Sequence, residues 1–257
     1  MTNSLKKQLR IDWEQRAIAK GASLAGVLLQ NFPKALNHYL HEWHIDIIHS
    51  KLLPHIPYKG SLLDVASGYG RTSLYIKSVR PDIQIFGLDF AFPYCKHYID
   101  NVQAPSICAS IYDSPLRTNI FDGIVAITAL MYITDTHKEI VLRQLMQHLK
   151  KGGYALLLDP GAEFLKLVSV FKQSRTQTSG KGFNKKEYIN LGKSRTTKLE
   201  EMGGCPIFSF SLPILYGLYS NNDIILRLLQ IINVLDRKLT KYHKITLHRW
   251  MLVRYID

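Results

Sequence analysis

The stretch Leu62-Leu63-Asp64-Val65-Ala66-Ser67-Gly68-Tyr69-Gly70-Arg71-Thr72-Ser73 constrains this chain more than any other. A short apolar run, enough for one buried strand, passes directly into two glycines and then into residues that open a helix. Glycine admits backbone conformations closed to other residues and lets a ligand approach the main chain, and a helix start offers unpaired N–H groups. A strand, turn and helix of this kind belong to an open α/β sheet of mainly parallel strands. Read as a dinucleotide fingerprint, G-x-G-x-x-G, the third glycine is replaced by Ser73, which weakens a nicotinamide reading. Asp89 lies about 20 residues beyond the turn, where an acid binds a ribose diol. Both readings imply a nucleoside-type cofactor, although Gly68 and Gly70 would also serve a bare tight turn and Asp89 would also suit a solvated strand end.

The surrounding sequence repeats the α/β alternation. Short apolar runs predict strands over 61–65, 83–88, 106–109, 123–127 and 154–159, and helical periodicity predicts helices over 70–79, 94–101 and 136–149. Lys150-Lys151-Gly152-Gly153 reads as the stop of the last helix, because lysines and glycine suit its unpaired carbonyls. Residues 1–60 read as a helical cover, including a histidine-rich helix over 35–50, and residues 61–257 as the sheet domain. Within the latter, 164–244 is too long for a simple connection. It contains a polar stretch, 174–198, read as a mobile loop, and an apolar helix over 223–239. The polar residues of that helix, Arg227, Gln230, Asn233 and Arg237, form one narrow stripe, which predicts burial of most of its circumference. A final strand is expected over 246–255.

Composition narrows the class. The chain has 257 residues with 46% hydrophobic content, enough for a buried core and unlike a disordered segment. Thirty-three Lys and Arg against 20 Asp and Glu leave a formal charge of +13, which attracts nucleic acid, anionic lipid or phosphorylated substrates alike. Cys95, Cys108 and Cys205 are odd in number and far apart, which argues against a disulfide framework or a structural zinc and for a reducing cytoplasm. No signal-peptide pattern is read, and no run reaches the roughly 18 apolar residues of a spanning helix.

Five pieces in register are more specific than any one. Asp64-Val-Ala-Ser-Gly-Tyr-Gly70, Ile85-Phe-Gly-Leu-Asp89-Phe90, Ile111-Tyr-Asp-Ser-Pro115-Leu116, Asn119-Ile-Phe-Asp-Gly-Ile-Val125 and Leu149-Lys-Lys-Gly-Gly153 follow one another across 61–160. This segment resembles the class I S-adenosylmethionine-dependent methyltransferases. The resemblance implies a Rossmann-like α/β fold: seven strands, six parallel and the last antiparallel, with helices on both faces. It implies S-adenosylmethionine as cofactor and S-adenosylhomocysteine as product. Asp64 and the turn Ala66, Ser67, Gly68 and Gly70 would hold the methionine part, Asp89 the ribose hydroxyls, and Phe90 with Ser110, Ile111 and Tyr112 the adenine. Thr128 and Ala129 would face the amino group or the methyl donor. The family usually has glycine at 66, often cysteine at 67 and often an acid at 110; this chain has Ala66, Ser67 and Ser110.

Methyl transfer is an in-line displacement, so positioning carries much of it, and a base is needed only for a protonated acceptor. Asn37, His41 and His44 share one helical face. Because N-terminal helices commonly cover the cofactor in the family this chain resembles, the resemblance makes that face a candidate lid, with His41 as a candidate base and Asn37 and His44 toward the acceptor. The same residues would also suit an ordinary amphipathic surface. No recognised metal-ligand motif is present, and no metal is expected. The resemblance makes Tyr132, just past the fourth strand, the second catalytic candidate, since residues there commonly border the methyl donor in the family, and Asp159 at the end of the fifth strand could orient a substrate hydroxyl; both would also suit plain packing or loop positions. Arg71 opens a helix, where a cation opposes the dipole, so a carboxylate partner is expected. In the family that this chain resembles, insertions such as 164–244 usually form the substrate cap, and the basic loop within it then suggests an anionic acceptor. The leading reading is methylation of oxygen or nitrogen on a small molecule: a secondary metabolite, glycan or lipid-linked intermediate. A nucleic-acid methyltransferase is the alternative, against which Thr128-Ala-Leu-Met stands where N-P-P-[YF] is expected. A non-catalytic nucleotide-binding scaffold is a third reading, and a homodimer contact through the apolar helix remains open.

Overall fold

The computed structural model describes residues 3–30, 32–133, 137–169, 180, 182–218 and 222–257. Helices α1 (Asn3–Lys20), α2 (Leu24–Val27) and α3 (Lys34–Ile47) precede the sheet. Then come β1 (Ser61–Val65), α4 (Arg71–Val79), β2 (Gln84–Asp89), α5 (Phe92–Val102), β3 (Ser106–Cys108), β4 (Phe121–Ile127), α6 (Lys138–Met146) and β5 (Leu149–Pro160). The remainder forms α7 (Ala162–Ser169), α8 (Lys185–Gly192), β6 (Thr197–Gly204), α9 (Pro206–Gly217), α10 (Asn222–Leu239) and β7 (His248–Tyr255).

The strands form one sheet in the order β3-β2-β1-β4-β5-β7-β6. β1 to β5 are parallel, and β7 runs antiparallel to both β5 and β6. The expected seven-stranded Rossmann-like α/β sheet is therefore present. Both faces are covered, so its strands are continuous apolar runs rather than alternating ones. The two-residue strand period still divides their side chains: Leu156, Leu158, Trp250 and Leu252 join a core with α3, α4, α9 and α10. Ala155, Leu157, Met251 and Val253 join the opposite core with α6 and α8. A one-residue slip of β7 would exchange the two sets, and each fully buried aliphatic or Phe side chain is worth about 1.5–3 kcal/mol.

Several expectations need correction. α6 ends at Met146, and Leu149 to Gly153 already belong to β5, where Leu149 pairs with Phe121 of β4 before the register shifts and Tyr154 pairs with Gly123. Residues 182–198, read as part of a mobile loop, hold α8 and the start of β6. The overlooked signal was Asn184-x-x-Glu187, a capping box in which Asn184 and Glu187 each accept the other's backbone N–H. Positions 174–179 and 181 of that stretch lie outside the described residues. β6 itself falls inside 164–244, so this stretch is partly sheet. α10 buries only Ile225, Leu229, Ile232 and Asp236, while Leu226, Ile231, Val234 and Leu235 are exposed. It sits in the outer layer against α3 and α9, so only one side has anything to pack on. Its buried acid caps α9: Asp236 accepts N–H bonds from Ile207 at 2.7 Å and Phe208 at 3.0 Å.

Candidate active site

The strand order reverses between β1 and β4, and the carboxyl ends of β2, β1 and β4 open there onto a cavity of about 1050 Å³ including its mouth. A crevice at this switch point is where open α/β sheets bind ligands. Its walls are the turn after β1, the end of β2 with Phe90, the residues 109–112 after β3, and 127–133 at the end of β4. Lys6, Leu9 and Trp13 of α1 and Val27 of α2 close it from above.

The turn holds its shape through left-handed backbone at Ala66 (φ +54°), Gly68 (φ +54°) and Gly70 (φ +87°). A Cβ on Gly70 would lie 2.2 Å from Val102 Cγ2, and one on Gly68 would lie 2.7 Å from Val27 Cγ1. The glycines thus let α5 and α2 come close, as well as turning the chain. Ala66 carries a Cβ in a conformation that disfavours one, which accounts for the glycine usual there in the family it resembles.

Asp89 is 6% exposed, and its two oxygens accept N–H bonds from Gly68 and Ala91, both at 2.9 Å. Burial pushes its pKa up to about 6 against those hydrogen bonds. Asp64, also buried, accepts hydroxyl bonds from Thr72 at 2.5 Å and Ser73 at 2.7 Å, and burial raises its pKa. Ser67 Oγ and Trp13 Nε1 are buried in the cavity wall with no hydrogen-bond partner among the described residues. These orphaned polar atoms, with the free lone pairs of Asp89, fit a polar nucleoside-bearing ligand.

Arg71 is a further feature of this wall. It is 8% exposed and makes no ion pair among the described residues. Its guanidinium donates to His41 Nδ1 and His44 Nδ1, each at 3.1 Å, and burial draws its pKa down to about 10. Since arginine only donates, both Nδ1 atoms must be unprotonated. His44 Nε2 then carries the proton it shares with His248 Nδ1 at 2.9 Å. Burial, the largest cause, and Arg71 lower the pKa of His41 to about 4, that of His248 to about 3, and that of His44 well below its ordinary value. All three are neutral at pH 7.

Asp64, Ala66, Ser67, Gly68, Asp89, Phe90, Ser110, Ile111, Tyr112, Thr128, Ala129 and Tyr132 all line the cavity. Gly70 stands behind it against α5, and Asn37, His41, His44 and Asp159 do not line it. Asn37 clamps the backbone of Leu29 through both its amide atoms. Fully buried His44 lies between Arg71 and His248, so the histidine-rich helix backs the wall instead of covering the cavity. Asp159, 1% exposed with its pKa pushed up to about 7 by burial, accepts the Met131 N–H at 3.0 Å and thereby fixes the short turn Leu130–Tyr132. Tyr132 meets Trp13 edge to face at 5.7 Å between ring centroids, and burial raises its phenol pKa. The sequence reading missed Trp13, Lys6 and Leu9; α1 carries no motif, and only the packing of α1 over α5 brings them here.

Comparisons with known proteins agree with this geometry. Residues 63–157 match the model of a methyltransferase domain. Geranyl diphosphate C-methyltransferase from Streptomyces coelicolor A3(2) superposes with a TM-score of 0.65 at 11% identity, over 99% of each chain. The (4+2)-cyclase SpnF superposes with a TM-score of 0.65 at 13% identity, over 97% of each. Phosphoethanolamine N-methyltransferase 2 from Haemonchus contortus gives 0.57 at 15% identity, over 93% of this chain and 61% of that one. No curated protein matches at the level of sequence. The domain match spans the glycine turn, Asp89 and β4, and it coincides with the strand order and cavity described above: residues 63–157 carry a methyltransferase domain, in a chain with the fold of the class I S-adenosylmethionine-dependent methyltransferases.

Proposed function

We propose that this enzyme transfers a methyl group from S-adenosylmethionine to a nitrogen or oxygen atom of a small molecule. The observation that carries this reading is buried Asp89, anchored to Gly68 and Ala91 with lone pairs left over, in a cavity that α1 and α2 close. The bound cofactor supplies an electrophilic methyl on a sulfonium. Asp89 accepts the ribose hydroxyls, Phe90 and 110–112 flank the adenine, and Arg71 neutralises the cofactor carboxylate at the helix start. Thr128, Ala129 and Tyr132 border the acceptor, and Trp13 excludes water above it.

Tyr132, with its phenol pKa raised, donates a hydrogen bond and does not take a proton at neutral pH. His41 is held in the wall by Arg71. Both features favour an acceptor that arrives with its lone pair free, such as a neutral amine. The helical cover favours a small acceptor over a nucleic-acid duplex. An anionic acceptor rests on the basic loop at 174–198, part of which lies outside the described residues. Three free cysteines suit a reducing cytoplasm.

Because a cyclase shares the fold, the test must read the chemistry as well as binding. Calorimetric titration with S-adenosylmethionine, S-adenosylhomocysteine and NAD, beside Asp89→Ala, should show binding of the two sulfur nucleosides only, lost in the variant. A panel of amines and alcohols should then yield S-adenosylhomocysteine stoichiometric with methylated product. Cofactor binding with no methylated product from any acceptor class would leave the cofactor assignment and remove the transfer.

A further inference from the structure

Scattered exposed apolar residues are ordinary; a concentration of them is not. Among the described residues, seven of the eighteen large apolar side chains that stand well exposed lie on α9 and α10. Both helices bury one side in the same core, through Phe208, Leu212 and Leu215 on α9 and Ile225, Leu229 and Ile232 on α10. Their opposite sides therefore look outward together. On α9 that side carries Phe210, 59% exposed, and Ile214, 62% exposed, one turn apart. On α10, Arg227, Ile231, Val234 and Lys238 follow at spacings of four, three and four, with Leu235 beside them. This is one stripe, opposite the buried one, with a cation at each end.

The charges identify the partner. Asp236, one of two acids on α10, is buried as the cap of α9, and the other, Asp223, sits in the first turn. Arg237 is spent on an ion pair with Asp46, whereas Arg227 and Lys238 are exposed and have no ion pair among the described residues. Beyond the helix, Lys241 lies over the ring of Tyr242, which is 60% exposed. Aliphatic side chains between cations, with an aromatic at the end, suit the boundary between lipid headgroups and acyl chains. A two-fold contact with a second copy would set this cationic stripe against itself. No described helix is long and apolar enough to cross a membrane, so the fitting geometry is a helix lying on the surface.

We propose that the outer face of the α9–α10 hairpin docks this protein on an anionic lipid surface. The full chain is sedimented with vesicles of phosphatidylcholine alone and of phosphatidylcholine mixed with phosphatidylglycerol. It should partition onto the mixed vesicles and be released by salt. Arg227→Glu with Lys238→Glu should weaken partitioning on the order of tenfold or more. Ile231→Ser with Leu235→Ser should weaken it as well, with the melting temperature and cofactor affinity unchanged in both pairs. Three outcomes would overturn the proposal: no partition onto mixed vesicles, equal binding to both vesicle types, or partition that neither pair alters. A concentration-dependent dimer in light scattering that the Ile231 and Leu235 pair dissolves, without vesicle binding, would assign the face to a second copy instead.

Discussion

The Gly68 N–H donates to Asp89 Oδ2 at 2.9 Å, tying the turn after β1 to the end of β2. The bond orients a carboxylate that burial would otherwise drive toward its neutral form, since its pKa is pushed up to about 6. Ribose hydroxyls donate to the ionised form, so cofactor affinity should fall as pH drops through about 6, approaching tenfold per unit below it. Asp89→Asn should bind weakly at every pH and lose this dependence. For the unliganded fold the sign is opposite. Asp89 contributes stability fully below its ordinary value of 3.8, and that contribution is lost as pH rises through about 6. Calorimetry across pH 5 to 8 reads the affinity, and thermal melts read the stability. A flat wild-type affinity profile would remove Asp89 from the ribose site.

Arg71 is a buried cation held by two neutral histidines, an arrangement that favours an incoming carboxylate. Arg71→Met should weaken S-adenosylmethionine binding roughly 10–100-fold, the scale of hydrogen bonds to charged groups. Methylthioadenosine, which has no carboxylate, should bind both proteins equally. Arg71→Lys keeps the charge without the fork that reaches both histidines, so it should rescue only part of the loss. Equal losses for the two ligands would mean that Arg71 only supports the wall.

Trp13 closes the cavity against Tyr132. Trp13→Ala should weaken cofactor binding up to about tenfold, the scale of an aromatic pair, and Trp13→Phe should restore most of it. The tryptophan fluorescence change on cofactor addition should shrink in the Ala variant. Unchanged affinity would place α1 outside the functional cover.

Ala66 and Thr128 both hold left-handed backbone, at φ +54° and +56°. Ala66→Gly should raise stability by about 1 kcal/mol, a rise of roughly 2–4 °C in melting temperature. Thr128→Gly should relieve at least as much strain, because threonine is β-branched, while blurring the backbone geometry of the cavity wall proposed to border the methyl donor. Thermal melts beside turnover separate the two: more stable and equally active at 66, more stable and less active at 128.

Much of the cavity wall was legible in the amino-acid sequence. Parallel strands buried on both faces are continuous apolar runs, and the residues that ring a nucleoside sit at the ends of successive runs. That pattern singles out Gly68 of the glycine turn and Asp89, while Asp64, Phe90, 110–112 and 128–129 come from the resemblance to the class I methyltransferases; all of them line the cavity. What distance along the chain conceals, only the tertiary structure decided. His44 reads in the sequence as facing the acceptor or lying on an amphipathic surface, until His248, 204 residues later, stacks on it. Trp13 has no motif and reaches the cavity only because α1 lies over α5. The apolar stripe of α10 would suit a buried helix or a surface one, and its place in the outer layer left half of it uncovered. Local periodicity sets which side of an element is apolar; which neighbour that side meets depends on contacts between residues far apart in sequence, and these exist only once the chain has packed.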